Sequence, residues 1–204
     1  DRMRGRGLVS GPVRLTAVTM LAEQVLIPGL AALRSRHPGI DLELIMDGRV
    51  LSLARREADI AIRLGHPQDS DLVCRRLCDL AYAFYATPQW QERIAAGEAP
   101  HFVGFDAESA AAIAEAQWLA ERYPYARFPF RVNGHAAQAA AARAGFGIAL
   151  LPRFLGDRED MLGKVDLGAL PADRPIWLVT RPDIARQERF RAVIDAITPL
   201  FRSL

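Results

Sequence analysis

Short apolar stretches typical of β-strands alternate with helical stretches along this 204-residue sequence. The first three strands are predicted at VRLTAV (Val13–Val18), IDLELIM (Ile40–Met46) and DIAIRLG (Asp59–Gly65), with helical patterns between them. Successive strands linked by crossover helices usually join one sheet in the same direction. This part of the sequence therefore predicts a parallel sheet with helices on its faces.

The alternation continues in the second half, where a further set of strands is separated by helices. LVCRRL and DLAYAFYA supply one or two strands, and Ser109–Tyr123 is helical by composition. The later strands are predicted at His101–Phe105, Phe128–Val132, Gly147–Pro152 and Pro175–Pro182. The sequence thus predicts two α/β units of similar size.

One predicted helix has very few side-chain atoms. Seven of the nine residues from Ala136 to Ala144 are alanine. Asn133 is a candidate cap at its start, Gly134 would leave the first amides uncovered, and Gly145 can end the helix with a positive φ. Such a bare helix can lie close to the sheet or to a partner subunit.

Composition and spacing exclude several classes of function. The net charge of +2 gives no support for nucleic-acid binding by this chain. The apolar runs fall short of the ~18 residues that span a bilayer, and we see no signal peptide. If their stretch is a strand, Cys74 and Cys78 lie roughly 13 Å apart, beyond disulfide reach, which favours reduced thiols and a cytoplasmic location.

Enzyme and cofactor motifs are not found. The glycine pair Gly145 and Gly147 lacks the third glycine of a dinucleotide fingerprint, and it ends a helix rather than opening one. The sequence contains no phosphate-binding Gly-Lys-Ser/Thr loop, Gly-x-Ser-x-Gly elbow or His-Glu-x-x-His motif. The four histidines share no ligand spacing. We therefore predict no catalysis, no cofactor and no metal.

Five stretches, in the right order from about Val13 to Leu204, resemble the effector-binding domain of LysR-type transcriptional regulators. They are VRLTAV, LIPGLAALRSRHPGIDLEL, DGRVLSLARREADIAIRLG, HAAQAAAARAGFGIALLPRFLGD, and IWLVTRPD followed by RFRAVIDAI. The resemblance implies an α/β, type II periplasmic-binding-protein-like fold, with two Rossmann-like subdomains joined by two crossover strands. We expect a linker stub at residues 1–12, subdomain I at 13–86 plus 180–204, and subdomain II at 87–179.

The resemblance also implies a function. A small-molecule effector would bind in the cleft between the subdomains and act on an N-terminal winged helix-turn-helix that this chain lacks, so that DNA is bound only through that missing part. It implies dimers of this domain, with tetramers possible for the full-length protein. The alternative is a periplasmic solute-binding protein of a transporter, which has the same fold.

Candidate effector contacts follow from the rule that ligands of open α/β sheets bind beyond the carboxyl ends of the strands. Several loops there lead into helix N-termini, whose free amides favour anions, so we expect an anionic effector. The candidates are Thr19, Met20, Asp47, Arg63, Gly65, Phe105, Asn133, Gly134 and His135.

Most of these candidates also have a structural interpretation. Thr19 and Asn133 could cap helices, bind the effector or do both, and Asp47 could cap the helix that follows it. Arg63 could pair with an acidic effector, or with Asp59 or Asp47 inside the protein. Met20 would form an apolar wall. His66 and His135 are predicted as exposed loop residues, with lining of the cleft as the alternative.

Overall fold

A computed structural model describes residues 9–46, 53, 56–68 and 71–204 of the chain. Its strands are β1 (Ser10–Ala17), β2 (Gly39–Ile45), β3 (Ile60–Leu64), β4 (Val73–Leu80), β5 (Tyr82–Ala86), β6 (His101–Phe105), β7 (Arg127–Val132), β8 (Ile148–Pro152), β9 (Gly163–Val165) and β10 (Arg174–Thr180). Its α-helices are α1 (Thr19–Leu21), α2 (Ile27–Arg36), α3 (Pro88–Ala95), α4 (Ala107–Ala110), α5 (Ala114–Arg122), α6 (His135–Arg143), α7 (Arg153–Gly156) and α8 (Glu188–Ile197).

The chain forms two compact units, each with its own mixed sheet. The first unit holds the described residues up to Asp79 together with Arg174–Leu204, and the second unit holds Leu80–Asp173. The boundaries fall some residues earlier than the 86/87 and 179/180 positions expected from the sequence. They do so because β5 belongs to the sheet of the second unit and β10 belongs to the sheet of the first.

The first sheet has the strand order β2-β1-β3-β10-β4. Strand β1 is parallel to both of its neighbours, so that Val13 lies opposite Leu42 and Leu15 lies opposite Ile60. Strand β10 runs antiparallel to β3. The parallel pairing predicted for the first three strands is confirmed. Strand β10 is antiparallel because it enters the sheet after the chain has passed through the second unit rather than through a crossover helix from β3.

The first helix is longer than the sequence indicated. The sequence favours a regular helix that starts near Pro28, because proline is tolerated best in a first helical turn, and α2 does begin at Ile27 with Pro28 in its first turn. Helical structure begins earlier, at Thr19, and continues through a π-helical segment, Ala22–Leu26, into α2. In that segment the N–H of Ile27 donates to the carbonyl of Ala22, five residues back. A wider turn of this kind reduces the clash that proline makes with the preceding turn, so the helix continues past Pro28.

The core of the first unit lies between the sheet and the helices. Leu21, Leu26 and Leu33 are buried on the first helix. Helix α8 packs on α2 and β1 through a buried face that includes Phe190 and Val193. The C-terminal helix thus returns to the first unit, as the family resemblance implied.

The second sheet has the order β7-β6-β8-β5-β9, with β6 parallel to β7 and β8, and β5 antiparallel to β8 and β9. Alternate residues of a strand face opposite sides of a sheet. On one side, the alanines of α6 pack on a cluster that includes Val103, Ala149 and Leu151. The prediction that these alanines allow close approach to the sheet is confirmed.

The other side of the second sheet carries an aromatic cluster. Phe84, Phe102, Trp118, Tyr123 and Phe128 form ring contacts with centroids 4.8 to 6.3 Å apart. Trp118 and Tyr123 come from the segment Ser109–Tyr123 that is helical by composition. Most of it is helical, and residues 111–113 divide it into α4 and α5.

The two cysteines lie on β4 as predicted, and both are free thiols.

Candidate functional site

In the first unit, the carboxyl ends of β1 and β3 lie side by side because the two strands are parallel and in register up to Ala17 and Ile62. Thr19 and Met20 follow β1, and Gly65 follows β3. The Thr19 side chain is exposed, whereas Met20 is buried with 8% of its surface exposed. Asp47 lies outside the described residues, and so does most of the helix predicted to follow it.

Thr19 does not cap the helix that it begins. The N-cap is Val18, in an extended conformation, and no side chain caps this end. The N–H groups of Leu21 and Ala22 donate to the carbonyl of Val18, so those of Thr19 and Met20 precede the first helical hydrogen bond. The capping interpretation of Thr19 was wrong, and its hydroxyl lies at an uncapped helix start.

Arg63 lies on β3 opposite Trp177 and is half-buried. It already makes an interaction within the protein. Asp59, one of its expected internal partners, accepts a hydrogen bond from the N–H of Arg14 at 2.8 Å and lies 3.7 Å from the guanidinium of Arg181. The carboxylate of Asp59 therefore helps to hold together the start of β3, β1 and the end of β10.

Gly65 has a structural requirement of its own. Its φ is +80°, a region that residues with a side chain rarely adopt, and its N–H donates to the carbonyl of Pro175 at 2.8 Å. The next residue, His66, is exposed as predicted, and its ring meets the edge of Trp177 at 4.7 Å.

In the second unit, three of the candidates lie together at the carboxyl ends of β6 and β7. Phe105 is buried at the end of β6, and its ring meets that of His135 edge-on, with centroids 5.0 Å apart. The N–H of Asp106 donates to the carbonyl of Val132, which ties the two strand ends together. This places Gly134 and His135, at the start of α6, beside the end of β6.

His135 is not the exposed loop residue that the sequence predicted. It is the first residue of α6, and 11% of its side chain is exposed. Its Nε2 lies 3.2 Å from Oε1 of Glu115, a carboxylate on α5 that is 3% exposed. His135 therefore joins the start of α6 to α5.

Asn133 does not cap the alanine-rich helix. The N-cap is Gly134, in an extended conformation, with no side-chain cap, and Asn133 is an exposed residue one position earlier. Its own side chain is therefore too early in the chain to occupy the cap position. A Cβ atom added at Gly134 would meet no heavy atom within 4 Å apart from its chain neighbours, so the space beside this residue is open.

The neighbouring helix start, that of α4, is capped. Asp106 accepts hydrogen bonds at 3.1 Å from the N–H groups of Glu108 and Ser109. Hydrogen bonds from Ser109, its side chain first, lower the pKa of the Asp106 carboxyl. An Asp followed three residues later by Ser, just after a strand, is a signal that could have identified this cap from the sequence.

A group of polar residues that was not predicted from the sequence lies behind these strand ends. Glu115 and the 2%-exposed Gln138 are buried next to a small cavity in the second unit. Arg131 also lines that cavity, and its Nη1 donates to the carbonyl of Phe105 at 3.1 Å. Glu115 lies among alanines in the segment that is helical by composition, and nothing in its spacing indicated burial.

In the described part of the chain, no group of three or more His, Cys, Asp or Glu side chains could hold a metal ion. None of the helices described is both long enough and apolar enough to cross a membrane.

A comparison with known proteins shows which family this chain belongs to. A family model described as the LysR substrate binding domain matches residues 6–202. The chain belongs to this family. The resemblance read from the sequence is thereby confirmed, and the chain is of the effector-binding type found in LysR regulators.

This LysR domain has curated relatives that are transcriptional regulators. It is 28% identical over 192 residues to the Mau operon transcriptional activator of Paracoccus denitrificans, covering 92% of this chain and 64% of the relative. It is 28% identical over 199 residues to the regulator CrgA of Neisseria meningitidis serogroup C, covering 91% and 65%. The chain thus spans less than two thirds of these relatives. They favour the regulator over the transporter alternative.

Solved structures show the same fold. The LysR domain matches CrgA of Neisseria meningitidis with a TM-score of 0.76 at 23% identity, over 95% of this chain and 69% of that one. It matches full-length AphB of Vibrio cholerae with a TM-score of 0.70 at 23% identity, over 94% and 69%. The predicted type II periplasmic-binding-protein-like fold is confirmed.

Proposed function

We propose that this domain binds a small anionic effector at the carboxyl ends of its strands and is not itself an enzyme. The observation that carries the proposal is the start of α6, where Gly134 provides no side-chain cap and the surrounding space is open. The first N–H groups of a helix have no partner within it and carry partial positive charge, so they attract carboxylates.

The first unit supplies a second uncapped helix start that supports the proposal. The helix beginning at Thr19 has no side-chain cap, and the Thr19 hydroxyl is exposed beside it. A hydroxyl and free amides are both donors for a carboxylate oxygen. The start of α4 is not expected to bind the anion, because the carboxylate of Asp106 already occupies it and would repel a second negative charge.

A thermal-shift screen tests the anion proposal directly. The probes are small organic acids, each paired with its uncharged amide of the same size, at neutral pH. We expect at least one acid to raise the unfolding temperature while its amide does not, since binding to the native state stabilises it by mass action. A panel in which the acids and amides behave alike would contradict an anionic effector.

In the whole protein, we propose that effector binding is relayed to an N-terminal winged helix-turn-helix that binds DNA, in the cytoplasm. The support is the family, whose curated relatives are transcriptional regulators of greater length. An effector can shift such a regulator only through different affinities for its two states. A titration of full-length protein on its promoter DNA, with and without the stabilising acid, should show a change in DNA affinity; an unchanged affinity contradicts the relay.

We also propose that the domain forms a homodimer, through the helical segment 19–36 and α6. Ile27 is 53% exposed on the first of these surfaces, and Ala136, Ala137 and Ala140 are exposed on the second. Exposed apolar surface of this kind favours association. Sedimentation velocity should show a dimer that Ile27→Glu converts to monomer; wild-type protein that remains monomeric at high concentration contradicts the proposal.

A further inference from the structure

A cavity of about 70 Å³ lies within the second unit, against the sheet and the inner side of α5. Its walls are largely apolar and include Val103, Leu119, Phe128 and Leu150. All of its lining residues belong to the second unit, so its shape is set by this unit alone.

Three polar residues line the cavity. Arg131 donates to the carbonyl of Phe105 at 3.1 Å, and the other two have buried side chains that can accept hydrogen bonds. Gln138, on the first turn of α6, is 2% exposed, and its Oε1 has no hydrogen-bond partner among the described residues. Glu115, on α5, is 3% exposed and lies 3.2 Å from His135. Both side chains line the cavity.

An unpartnered buried carbonyl oxygen is unusual. More than nine in ten buried polar groups of proteins have a partner, and leaving one without a partner costs stability. None of the described groups donates a hydrogen bond to Oε1 of Gln138, so this oxygen is available to an external donor. A cavity of this volume has room for such a donor, because one water needs only about 15 Å³ on the same measure.

We propose that this cavity is a binding site for a small molecule with a short apolar body and an N–H or O–H group that donates to Oε1 of Gln138. The apolar walls accommodate the body of the molecule. The carboxyl group of Glu115 can accept from a donor or cationic head, while the guanidinium of Arg131 is already engaged with the carbonyl of Phe105, so the site favours a donor over an anion. The cavity lies behind the anion site proposed at the strand ends and shares Phe105 with it, but its ligand is of the opposite chemistry and does not depend on that proposal.

Four probes of matched size test the chemistry on the 204-residue chain. They are 1-propanol, n-propylamine as its ammonium ion, acetone and propionate. The first two carry a donor, acetone only accepts, and propionate is an anion. We expect saturable methyl NMR shifts at Leu119 and Leu150 with the two donors. Acetone and propionate should bind at least about tenfold more weakly, the effect of losing one buried hydrogen bond.

Two variants locate the binding. Gln138→Leu removes the acceptor at nearly constant volume, and it should weaken binding of 1-propanol about tenfold without lowering the unfolding temperature. Ala116→Leu fills the cavity from α5 and should abolish the shifts. Ala95→Leu, on the exposed side of α3 in the same unit, is the matched control and should bind as wild type does.

The proposal is overturned if acetone binds as tightly as 1-propanol, or if Gln138→Leu binds 1-propanol with unchanged affinity. It is also overturned if no probe gives a saturable shift and a crystal structure shows only water in the cavity. Should Gln138→Leu fail to fold, Ala116→Leu decides the question, because unchanged binding in that variant would place the probes elsewhere.

Discussion

Two helices of the second unit follow two neighbouring strands of its sheet, yet their first turns differ. Helix α4 follows β6, and the carboxylate of Asp106 caps it with two hydrogen bonds to backbone N–H groups. Helix α6 follows β7, and Gly134 leaves its first turn uncapped. Neighbouring helix starts at one sheet edge therefore have opposite properties. One is already neutralised by an internal carboxylate, and the other remains open to an external one.

The comparison shows that position at a strand end does not make a binding site. Both loops satisfy the rule that placed ligand contacts beyond the carboxyl ends of strands. Only the identity of the cap residue separates them. Four changes, from the largest expected effect to the smallest, test this difference.

The largest effect is expected from His135→Ala, which removes the contact that fixes the start of α6. The variant loses the hydrogen bond to Glu115 and the ring contact with Phe105, and it leaves a buried carboxylate with less support. We expect the free energy of unfolding to fall by about 2 kcal/mol in urea denaturation. The exposed His66→Ala is the control and should change it by less than about 0.5 kcal/mol. Equal losses in the two variants would show that His135 does not anchor α6.

Gly134→Asp should convert the open helix start into one resembling that of α4. The extended backbone at Gly134 suits any residue, and an added side chain meets no nearby atom. The new carboxylate would occupy the site of an anionic ligand, so the best organic acid of the thermal-shift screen should bind about tenfold more weakly by calorimetry, or about 1.4 kcal/mol. Gly134→Asn, which caps without charge, should weaken binding less. Equal affinity in Gly134→Asp and wild type would remove α6 from the anion site.

Asp106→Asn tests the capped helix start through its pH dependence. Hydrogen bonds to the ionised carboxyl lower its pKa in the folded state. Its stabilising contribution is therefore present above the unfolded pKa of about 3.9, and it is lost as the pH falls through the lower folded value. Wild type should unfold at a temperature a few degrees above that of the variant at pH 7, and the difference should shrink below about pH 4. A difference that stays constant down to pH 2 would contradict a charged cap.

Asn133→Ala should have the smallest effect on stability. Because Asn133 is exposed and does not cap α6, the free energy of unfolding should change by less than about 0.5 kcal/mol. Calorimetry with the best acid then decides whether Asn133 contacts the ligand. A stability loss near 1 kcal/mol would restore the capping role that the structure removes.

The sequence predicted the fold well because its elements are encoded locally. Strands such as His101–Phe105 were placed to the residue, and the free thiols of Cys74 and Cys78 followed from their strand. Pro28 lies in the first turn of α2, as its sequence position suggested, but the α-helical and π-helical turns before it, from Thr19 to Leu26, were not predicted.

The candidate site was predicted less completely. The loops that follow the strands could be named, since strand ends can be read from periodicity. The residue that caps α6 could not be named correctly, because the cap lies one position later than predicted, at Gly134 rather than Asn133. Helix boundaries are less well determined by the sequence than the helices themselves.

By itself, the sequence determined the order of strands and helices, the close-packed alanine helix and the family, because each depends on short-range patterns of apolar and small residues. Only the tertiary structure showed the antiparallel entry of β10, the pairing of His135 with Glu115 and the cavity beside Gln138. The physical reason is that these features join residues far apart in the chain. The burial of Glu115 and Gln138 arises when α5, α6 and the second sheet pack together, and their neighbours in the sequence do not encode it.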